Sequence, residues 1–256
     1  AGIDTALWDI RAKRAGKSVA ALLGSTKTHV DVYGSSMDKT ITHTVLDTAD
    51  IRTAAWLQCT AAALDTFGEF EQRAAKALRY PMFVKPANAG SSVGVSKAYD
   101  ASGLKRAVEL ALVHDQKVLI EEAVTGKEVE CAVLGNEDPL ASVVGEIAPK
   151  AEFYDYNAKY LNNSTDLYVP ARIPETVAES VRGTAVRAFR ALCCTGLARV
   201  DFFVRDDGVV VLNEVNTIPG FTHISMYPKL FKAYGIPYPA LIDQLISLAL
   251  ERRFLI

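Results

Sequence analysis

Apolar positions recur along the chain with two spacings, and each spacing predicts one kind of element. Steps of three and four residues predict a helix with one buried face. The clearest case is 100–115, where Leu104, Val108 and Leu112 share a face behind Asp100 as the N-cap. The full set of predicted helices is 3–15 ending at Gly16, 18–24 ending at Gly24, 38–50 with Asp38 as its N-cap, 69–79, 100–115, 174–192 and 238–252.

Short apolar runs and alternating stretches predict the strands. Two of them, 197–205 and 209–215, flank an Asp-Asp-Gly turn and are expected to form a hairpin. A polar, tyrosine-rich loop is expected at 152–167. The remaining predicted strands are 29–36, 51–59, 80–87 followed by a loop that leads back into a strand, 117–124, 128–135 and 141–149. Helices and mostly antiparallel strands in two layers predict an α+β fold.

Composition and charge exclude several function classes. The chain has 256 residues, half of them hydrophobic, which is enough for one large domain or for two or three small ones. A net charge of −2 gives no basic excess for nucleic acid or an anionic membrane. No apolar run reaches the roughly 18 residues of a membrane helix, and no secretory signal is recognised. The four cysteines, Cys59, Cys131, Cys193 and Cys194, lack C-x-x-C spacing and are expected to be buried in a reducing cytoplasm.

Oxygen-bearing side chains gather at the end of the last predicted hairpin. Residues two apart on a strand face the same side, so Glu214 and Asn216 project together. The partner strand adds Asp201, with Arg199 on the same face. Carboxylate and amide oxygens suit magnesium, and a guanidinium beside them can neutralise a phosphoryl group. The alternative is a solvated strand face that carries an ordinary arginine–carboxylate ion pair.

A lysine and a glycine–serine loop form a second candidate site. Lys85 ends an apolar strand, and Gly90, Ser91, Ser92 and Gly94 follow it. Small residues let backbone amides approach a phosphate, although the spacing differs from that of a P-loop. The alternative is a simple turn.

Two carboxylates flank the Thr-Gly turn between the predicted strands 117–124 and 128–135. Glu121 and Glu128 could accept hydrogen bonds from an adenine amino group and from ribose hydroxyls. The alternative is an ordinary hairpin with surface acids.

Taken together, these motifs resemble one family. The stretches "GSSVGVSK" after Lys85, "IEEAVTGKEVE", "FYDYNAKY", "LARVDFF" and "LNEVNTIPGFT" are similar to those of ATP-grasp ligases, specifically the D-alanine–D-alanine ligase family, over residues 37–252. The resemblance implies two α+β subdomains, 37–123 and 124–256, that grip ATP between antiparallel sheets.

Motif matching implies a role for each site residue. Lys39, Lys85 and Lys159 would contact ATP phosphates, Glu121 the adenine amino group, and Glu128 the ribose. The nucleotide would also contact Ser92, Glu122, Ala123 and Val124, and the metal would be bound by Asp201, Glu214 and Asn216. The tetrahedral intermediate would be stabilised by Arg199 and Gly220. The first D-alanine would be oriented by Ser91 or Ser92 and by Tyr160, and the second would lie near Ser225 and Met226.

The resemblance also implies cofactors, substrates and partners. ATP and two magnesium ions, which manganese could replace, would convert one D-alanine to an acyl phosphate that a second D-alanine attacks, giving a peptidoglycan precursor in the cytoplasm. The "FYDYNAKY" loop favours D-alanine over D-lactate as the second substrate. No nucleic-acid or membrane partner is expected, and the oligomeric state stays open.

Residues 1–36 resemble a different family. Their sequence is similar to a fragment of the mandelate racemase and muconate-lactonising group of the enolase superfamily, and we expect no enolase-type activity from it. It stands where the ligase family has a separate N-terminal domain that helps to hold the first D-alanine. Two alternatives therefore stay open beside the ligase: a nucleotide-binding module or scaffold without turnover, and an ATP-grasp ligase that uses another acid.

Overall fold

Two of the helices begin at a capping aspartate. The structure is a computed structural model that describes residues 12–17, 21, 38–90, 92–149, 165–222 and 224–251. Asp38 Oδ1 accepts hydrogen bonds from the backbone N–H groups of Thr40 and Ile41, and Asp100 Oδ1 accepts one from Gly103. Both predicted N-caps are confirmed. In the described part of residues 38–251, the α-helices are α1 Lys39–Thr48, α2 Phe67–Ala77, α3 Ala101–His114, α4 Glu175–Ala191, α5 Met226–Tyr234 and α6 Tyr238–Glu251.

The chain divides into two compact units, residues 1–35 and residues 36–256. In the first unit, residues 12–14 are helical and the helix stops at Gly16, whose φ of +62° suits glycine. The end predicted for helix 3–15 is therefore confirmed. Ala21 is helical, as predicted for 18–24, and the predicted strand 29–36 lies outside the described residues.

In the described part of the second unit, nine strands form two antiparallel sheets. The four-stranded sheet has the order β1-β4-β2-β3, with β1 Trp56–Thr60, β2 Met82–Pro86, β3 Ser96–Ala98 and β4 Lys117–Glu122. The five-stranded sheet has the order β7-β6-β5-β8-β9, with β5 Lys127–Gly135, β6 Leu140–Pro149, β7 Thr165–Tyr168, β8 Gly196–Val204 and β9 Val210–Asn216. The α+β prediction and the hairpin of β8 and β9 are confirmed.

Two local predictions were wrong, and one helix was not predicted. The strand expected at 51–59 begins only at Trp56, and the residues before it run beside β9, where the Leu212 N–H donates to Arg52 O at 2.9 Å. Residues 165–167 of the expected loop belong to β7, because they pair with β6; residues 152–164 lie outside the described part. Helix α5 was not predicted, although Pro228 is tolerated because it lies in the first turn.

The four-stranded sheet has one buried face and one face that carries polar groups. Residues such as Val84, Val118 and Ile120 pack against α2 and α3. The alternation along the strands sends Phe83, Lys85 and Glu121 to the opposite face. This second face supplies one wall of the candidate site.

The five-stranded sheet also has one buried face. Val129, Val200 and Phe202 pack there with α4, and Leu46 of α1 joins the same core, so α1 packs against this sheet although it precedes the other one in sequence. On the opposite face, α5 and α6 cover the part around Ala132, Leu134 and Gly145. The rest of that face holds the polar cluster described next.

Candidate active site

Strand register brings the predicted metal ligands and the arginine together. Across β8 and β9, Arg199 pairs with Asn216 and Asp201 pairs with Glu214. Arg199 donates to both oxygens of Asp201, at 2.7 and 2.8 Å, and Asn216 Nδ2 donates to Asp201 Oδ2 at 2.9 Å. The expectation that these four side chains share one sheet face agrees with this register.

Glu130 also belongs to this cluster, and the sequence analysis missed it. It pairs with Asp201 across β5 and β8, is 5% exposed, and lies 3.2 Å from Arg199 Nε. Burial alone would lower the pKa of Arg199, but Asp201, Glu130 and Glu214 raise it. The arginine is therefore a permanent cation held among three carboxylates. The alternation of β5 from Glu128 to Glu130 could have pointed to this residue.

The donor set suits a hard cation. Asp201, Glu214 and Asn216 offer two carboxylates and an amide at one edge, and magnesium in proteins takes few protein oxygens beside water and phosphate. Within the described part of the chain, the Glu214 side chain makes no hydrogen bond or ion pair, although it lies within electrostatic range of Lys39 and Arg199. A half-buried carboxylate in that position can accept a metal ion without losing a protein partner.

Strand β9 has a β-bulge beside these ligands. Phe202 pairs with Leu212 while Asp201 pairs with Glu214, so Asn213 is the extra residue on β9. Its Oδ1 accepts a hydrogen bond from Lys85 Nζ at 3.5 Å. This contact joins the polar face of the four-stranded sheet to the five-stranded sheet, at the point where the metal ligands gather.

Lys85 also forms an ion pair with Glu121, whose other oxygen contacts a histidine. Glu121 is 3% exposed, its Oε2 contacts Lys85 Nζ, and its Oε1 lies 2.9 Å from His43 Nε2. Burial alone would raise the pKa of Glu121, but the charge of Lys85 and the hydrogen bond from His43 lower it to about 2. The carboxylate that was expected to bind adenine is thus an anion held inside the protein.

Lys39 reaches the loop that follows β2. Its Nζ donates to Ala89 O at 2.6 Å, and its own N–H donates to Ala87 O at 3.0 Å. Burial lowers the pKa of this lysine, Glu214 opposes that effect, and the charge of Lys85 adds to it. Two lysines and a metal-type carboxylate therefore lie close enough to influence one another.

The loop after β2 contains positive backbone φ angles at Ser92 (+61°) and Gly94 (+70°). A side chain on Gly94 would collide with His114 and Pro86, so the loop approaches α3 closely. Ser91, together with Lys159 and Tyr160, lies outside the described residues.

The linker from β4 to β5 was predicted to lie beside the adenine ring. Glu122 Oε1 accepts from the Ala55 N–H at 3.0 Å, so this side chain holds neighbouring backbone. Ala123 and Val124 line a groove of about 1180 Å³, together with Trp56 and other residues. The described phosphate and metal candidates do not line that groove. Glu128 is half-buried on the face of β5 that carries Glu130.

The turn before α5 contains the remaining candidates. Ser225 Oγ accepts from the Thr222 N–H at 3.0 Å, and a Cβ at Gly220 would lie 3.0 Å from the same oxygen. The Met226 side chain is 7% exposed and packs against Gly145, so a substrate contact by this residue would have to use its backbone.

Comparisons with known proteins place these residues in context. A family profile described as "D-ala D-ala ligase C-terminus" matches residues 45–247, and one described as "Mandelate racemase / muconate lactonizing enzyme, N-terminal domain" matches residues 1–24. A D-alanine–D-alanine ligase from Acetivibrio thermocellus is 53% identical over 220 residues, which cover 84% of this chain and 58% of that protein. The chain thus spans little more than half the length of this relative.

Two solved structures share the fold. The VanG D-Ala:D-Ser ligase from Enterococcus faecalis has a TM-score of 0.76 and 38% identity, covering 84% of this chain and 62% of that one. The D-alanine–D-alanine ligase from Bacillus anthracis complexed with ATP has a TM-score of 0.69 and 31% identity, covering 84% and 66%. Among the described residues, no helix combines the length and apolar character needed to cross a membrane.

Proposed function

We propose that this chain, which belongs to the D-alanine–D-alanine ligase family through that family's C-terminal region, binds Mg-ATP. We further propose that it uses ATP to join two D-alanines. The fold is the ATP-grasp α+β fold of its structural relatives. The product would be the dipeptide used for peptidoglycan synthesis. The cytoplasm is the compartment that we propose, because it supplies ATP.

The observation that carries the proposal is the meeting of two sheets. Lys39 and Lys85 lie beside the four-stranded sheet, and Asn213 and Glu214 come from the five-stranded sheet. Phosphoryl transfer needs positive charge and positioning around the terminal phosphate rather than a protein nucleophile. Lysines facing metal-type ligands across a junction supply those two requirements.

The metal would be held by Asp201, Glu214 and Asn216. Two magnesium ions, or manganese in their place, would supply charge that offsets the phosphates. Asp201 is already bonded by Arg199 and Asn216, so its orientation is fixed before a cation binds.

Arg199 is proposed to stabilise the tetrahedral intermediate together with the Gly220 N–H. A guanidinium that stays protonated and keeps its orientation is suited to a developing oxyanion. Lys39 and Lys85 would hold ATP phosphates, Glu121 and the linker 122–124 the adenine, and Glu128 the ribose. Lys159 would also reach the phosphates, Ser91 or Ser92 and Tyr160 would orient the first D-alanine, and Ser225 and Met226 would lie by the second.

The identity of the second substrate is part of the proposal. A D-Ala:D-Ser ligase is among the structural relatives, so the fold alone does not separate D-alanine from D-serine. The "FYDYNAKY" stretch favours D-alanine over D-lactate. D-Alanine is therefore the substrate to test first, with D-serine and D-lactate as competitors.

The test is D-alanine-dependent release of phosphate from ATP in the presence of magnesium. We expect release that needs D-alanine and is abolished by chelation of the metal, and that falls at least about tenfold in Lys85→Met because a phosphate-binding charge is lost. Lys76→Met, an exposed lysine on α2, is the matched control and should leave the rate unchanged.

Binding of Mg-ATP without D-alanine-dependent phosphate release would refute ligase turnover by this chain and leave a nucleotide-binding module. Absence of any nucleotide binding by calorimetry would refute the proposal as a whole.

A further inference from the structure

We propose that His43 is the positioning residue that aims Glu121 at the adenine amino group and thereby sets the preference for adenine nucleotides. This inference rests on the proposed function, because it takes Glu121 as the residue that reads the adenine ring. It adds a residue from α1 to which the sequence analysis assigned no role.

The geometry places His43 directly behind Glu121. His43 is 3% exposed, and its Nε2 lies 2.9 Å from Glu121 Oε1. The Trp56 ring packs beside the imidazole, with centroids 5.4 Å apart. A buried, packed donor of this kind fixes the rotation of the carboxylate far better than an exposed side chain would.

The protonation of His43 follows from its partner. Glu121 is an anion and can only accept, so Nε2 carries the proton and donates it. In the described part of the chain, the buried Nδ1 atom has no hydrogen-bond partner. Burying a ring nitrogen without a partner costs stability, and a purely structural position would be served equally well by an apolar side chain. The hydrogen bond to Glu121 therefore explains why a histidine occupies this position.

The contacts of Lys85 explain why Glu121 requires a second hydrogen-bond partner. Glu121 contacts both Lys85 and His43, and Lys85 also reaches Asn213 on the other sheet. In the proposed function, Lys85 also holds the nucleotide's phosphates, so its charge is shared between them and Glu121. His43 is buried on α1 and contacts only the other oxygen of Glu121, so it can hold that carboxylate in orientation while Lys85 contacts phosphate.

The test compares two nucleotides that differ at the atom that Glu121 would read. Inosine diphosphate carries a carbonyl group where adenosine diphosphate carries the amino group, so an anionic acceptor there rejects it. Titration calorimetry with magnesium measures both dissociation constants for the full chain. We expect wild type to bind ADP at least about tenfold more tightly than IDP, the scale of one hydrogen bond to a charged group.

The variants separate positioning from stability. His43→Leu keeps the volume but removes the donor, and the ADP preference should fall to about twofold or less. His43→Gln places an amide nitrogen where Nε2 lies and should retain the preference. His43→Asn is too short to reach Glu121 and should lose it, which gives a second polar variant if His43→Leu does not fold. Leu46→Val, in the buried core on the same helix, lowers stability without touching Glu121 and should leave the ratio unchanged.

The possible outcomes distinguish this inference from its premise. If wild type prefers ADP and His43→Leu or His43→Asn shows the same preference, His43 does not aim Glu121 and the inference is overturned. If wild type binds ADP and IDP equally, the adenine role of Glu121 fails and the inference fails with it. Loss of both affinities by the same factor would show a merely structural histidine and would also overturn it.

Discussion

Asp38 offers a stability test whose size can be worked out from its contacts. Its Oδ1 accepts hydrogen bonds from the Thr40 N–H at 2.9 Å and the Thr40 hydroxyl at 2.7 Å, and its Oδ2 accepts one from Lys117 Nζ at 2.6 Å. Burial alone would raise the pKa of this carboxyl, but those bonds, led by Lys117, lower it from 3.8 to about 2. The same residue caps α1 immediately before Lys39, so it also positions a candidate phosphate ligand.

The lowered pKa converts to a free energy. A carboxyl with a pKa of about 2 in the folded chain and 3.8 in the unfolded chain stabilises the native state by roughly 2 kcal/mol near neutral pH. Asparagine is a neutral near-isostere and still an N-cap, so Asp38→Asn should cost about 2 kcal/mol at pH 7. Asp38→Ala also removes the cap and should cost about 1 kcal/mol more.

The sign of the pH dependence follows from the direction of the shift. A lowered folded-state pKa means that the stabilisation is complete above about pH 4 and is lost as the pH falls through about 2. The difference in free energy of unfolding between wild type and Asp38→Asn, measured by urea unfolding, should therefore decrease steadily below pH 4. Asp243→Asn, an exposed acid on α6, is the control and should show no gap. A gap that is constant with pH, or below about 0.5 kcal/mol at pH 7, would refute this reasoning.

Three further predictions concern other parts of the fold and site. Gly126→Ala should lower the free energy of unfolding by about 2 kcal/mol or more, because a Cβ there would collide with the backbone of Val204, and an unchanged urea midpoint would contradict this. Glu146→Gln should lower the free energy of unfolding by about 2 kcal/mol, because this buried carboxylate accepts hydrogen bonds from the Arg172 N–H and guanidinium. Those hydrogen bonds lower the pKa of Glu146, so the destabilisation should become smaller in acid. Glu214→Gln should raise the magnesium concentration needed for half-maximal nucleotide binding at least about tenfold, whereas an unchanged requirement would remove Glu214 from the metal site.

Strand alternation made the metal-ligand face predictable from sequence. Glu214 and Asn216 are two residues apart, and a short turn joins their strand to the one with Arg199 and Asp201. Alternation places Glu214 with Asn216 and Arg199 with Asp201, but regular pairing continued from Val204 and Val210 would set Asp201 opposite Asn213. The bulge at Asn213 brings Glu214 opposite Asp201. Asp38 and Asp100 were also predictable, since a cap acts within one helical turn.

Long-range contacts could not be read in the same way. His43 meets Glu121 only because α1 packs beside the end of β4, and no spacing in the sequence encodes that approach. The bulge at Asn213 depends on pairing with β8, and β7 exists because residues 165–168 find an open edge at β6. Pro228 disfavoured a helix prediction for α5, whose apolar side chains are buried against the five-stranded sheet.

The most direct test of the account is a crystal structure of this chain with ADP and magnesium. The account predicts cations bound by Asp201, Glu214 and Asn216, with the phosphates between them and Lys85 and the adenine amino group at Glu121. A nucleotide whose phosphates lie away from Lys85, or cations that leave Asp201 and Glu214 without a metal, would contradict it.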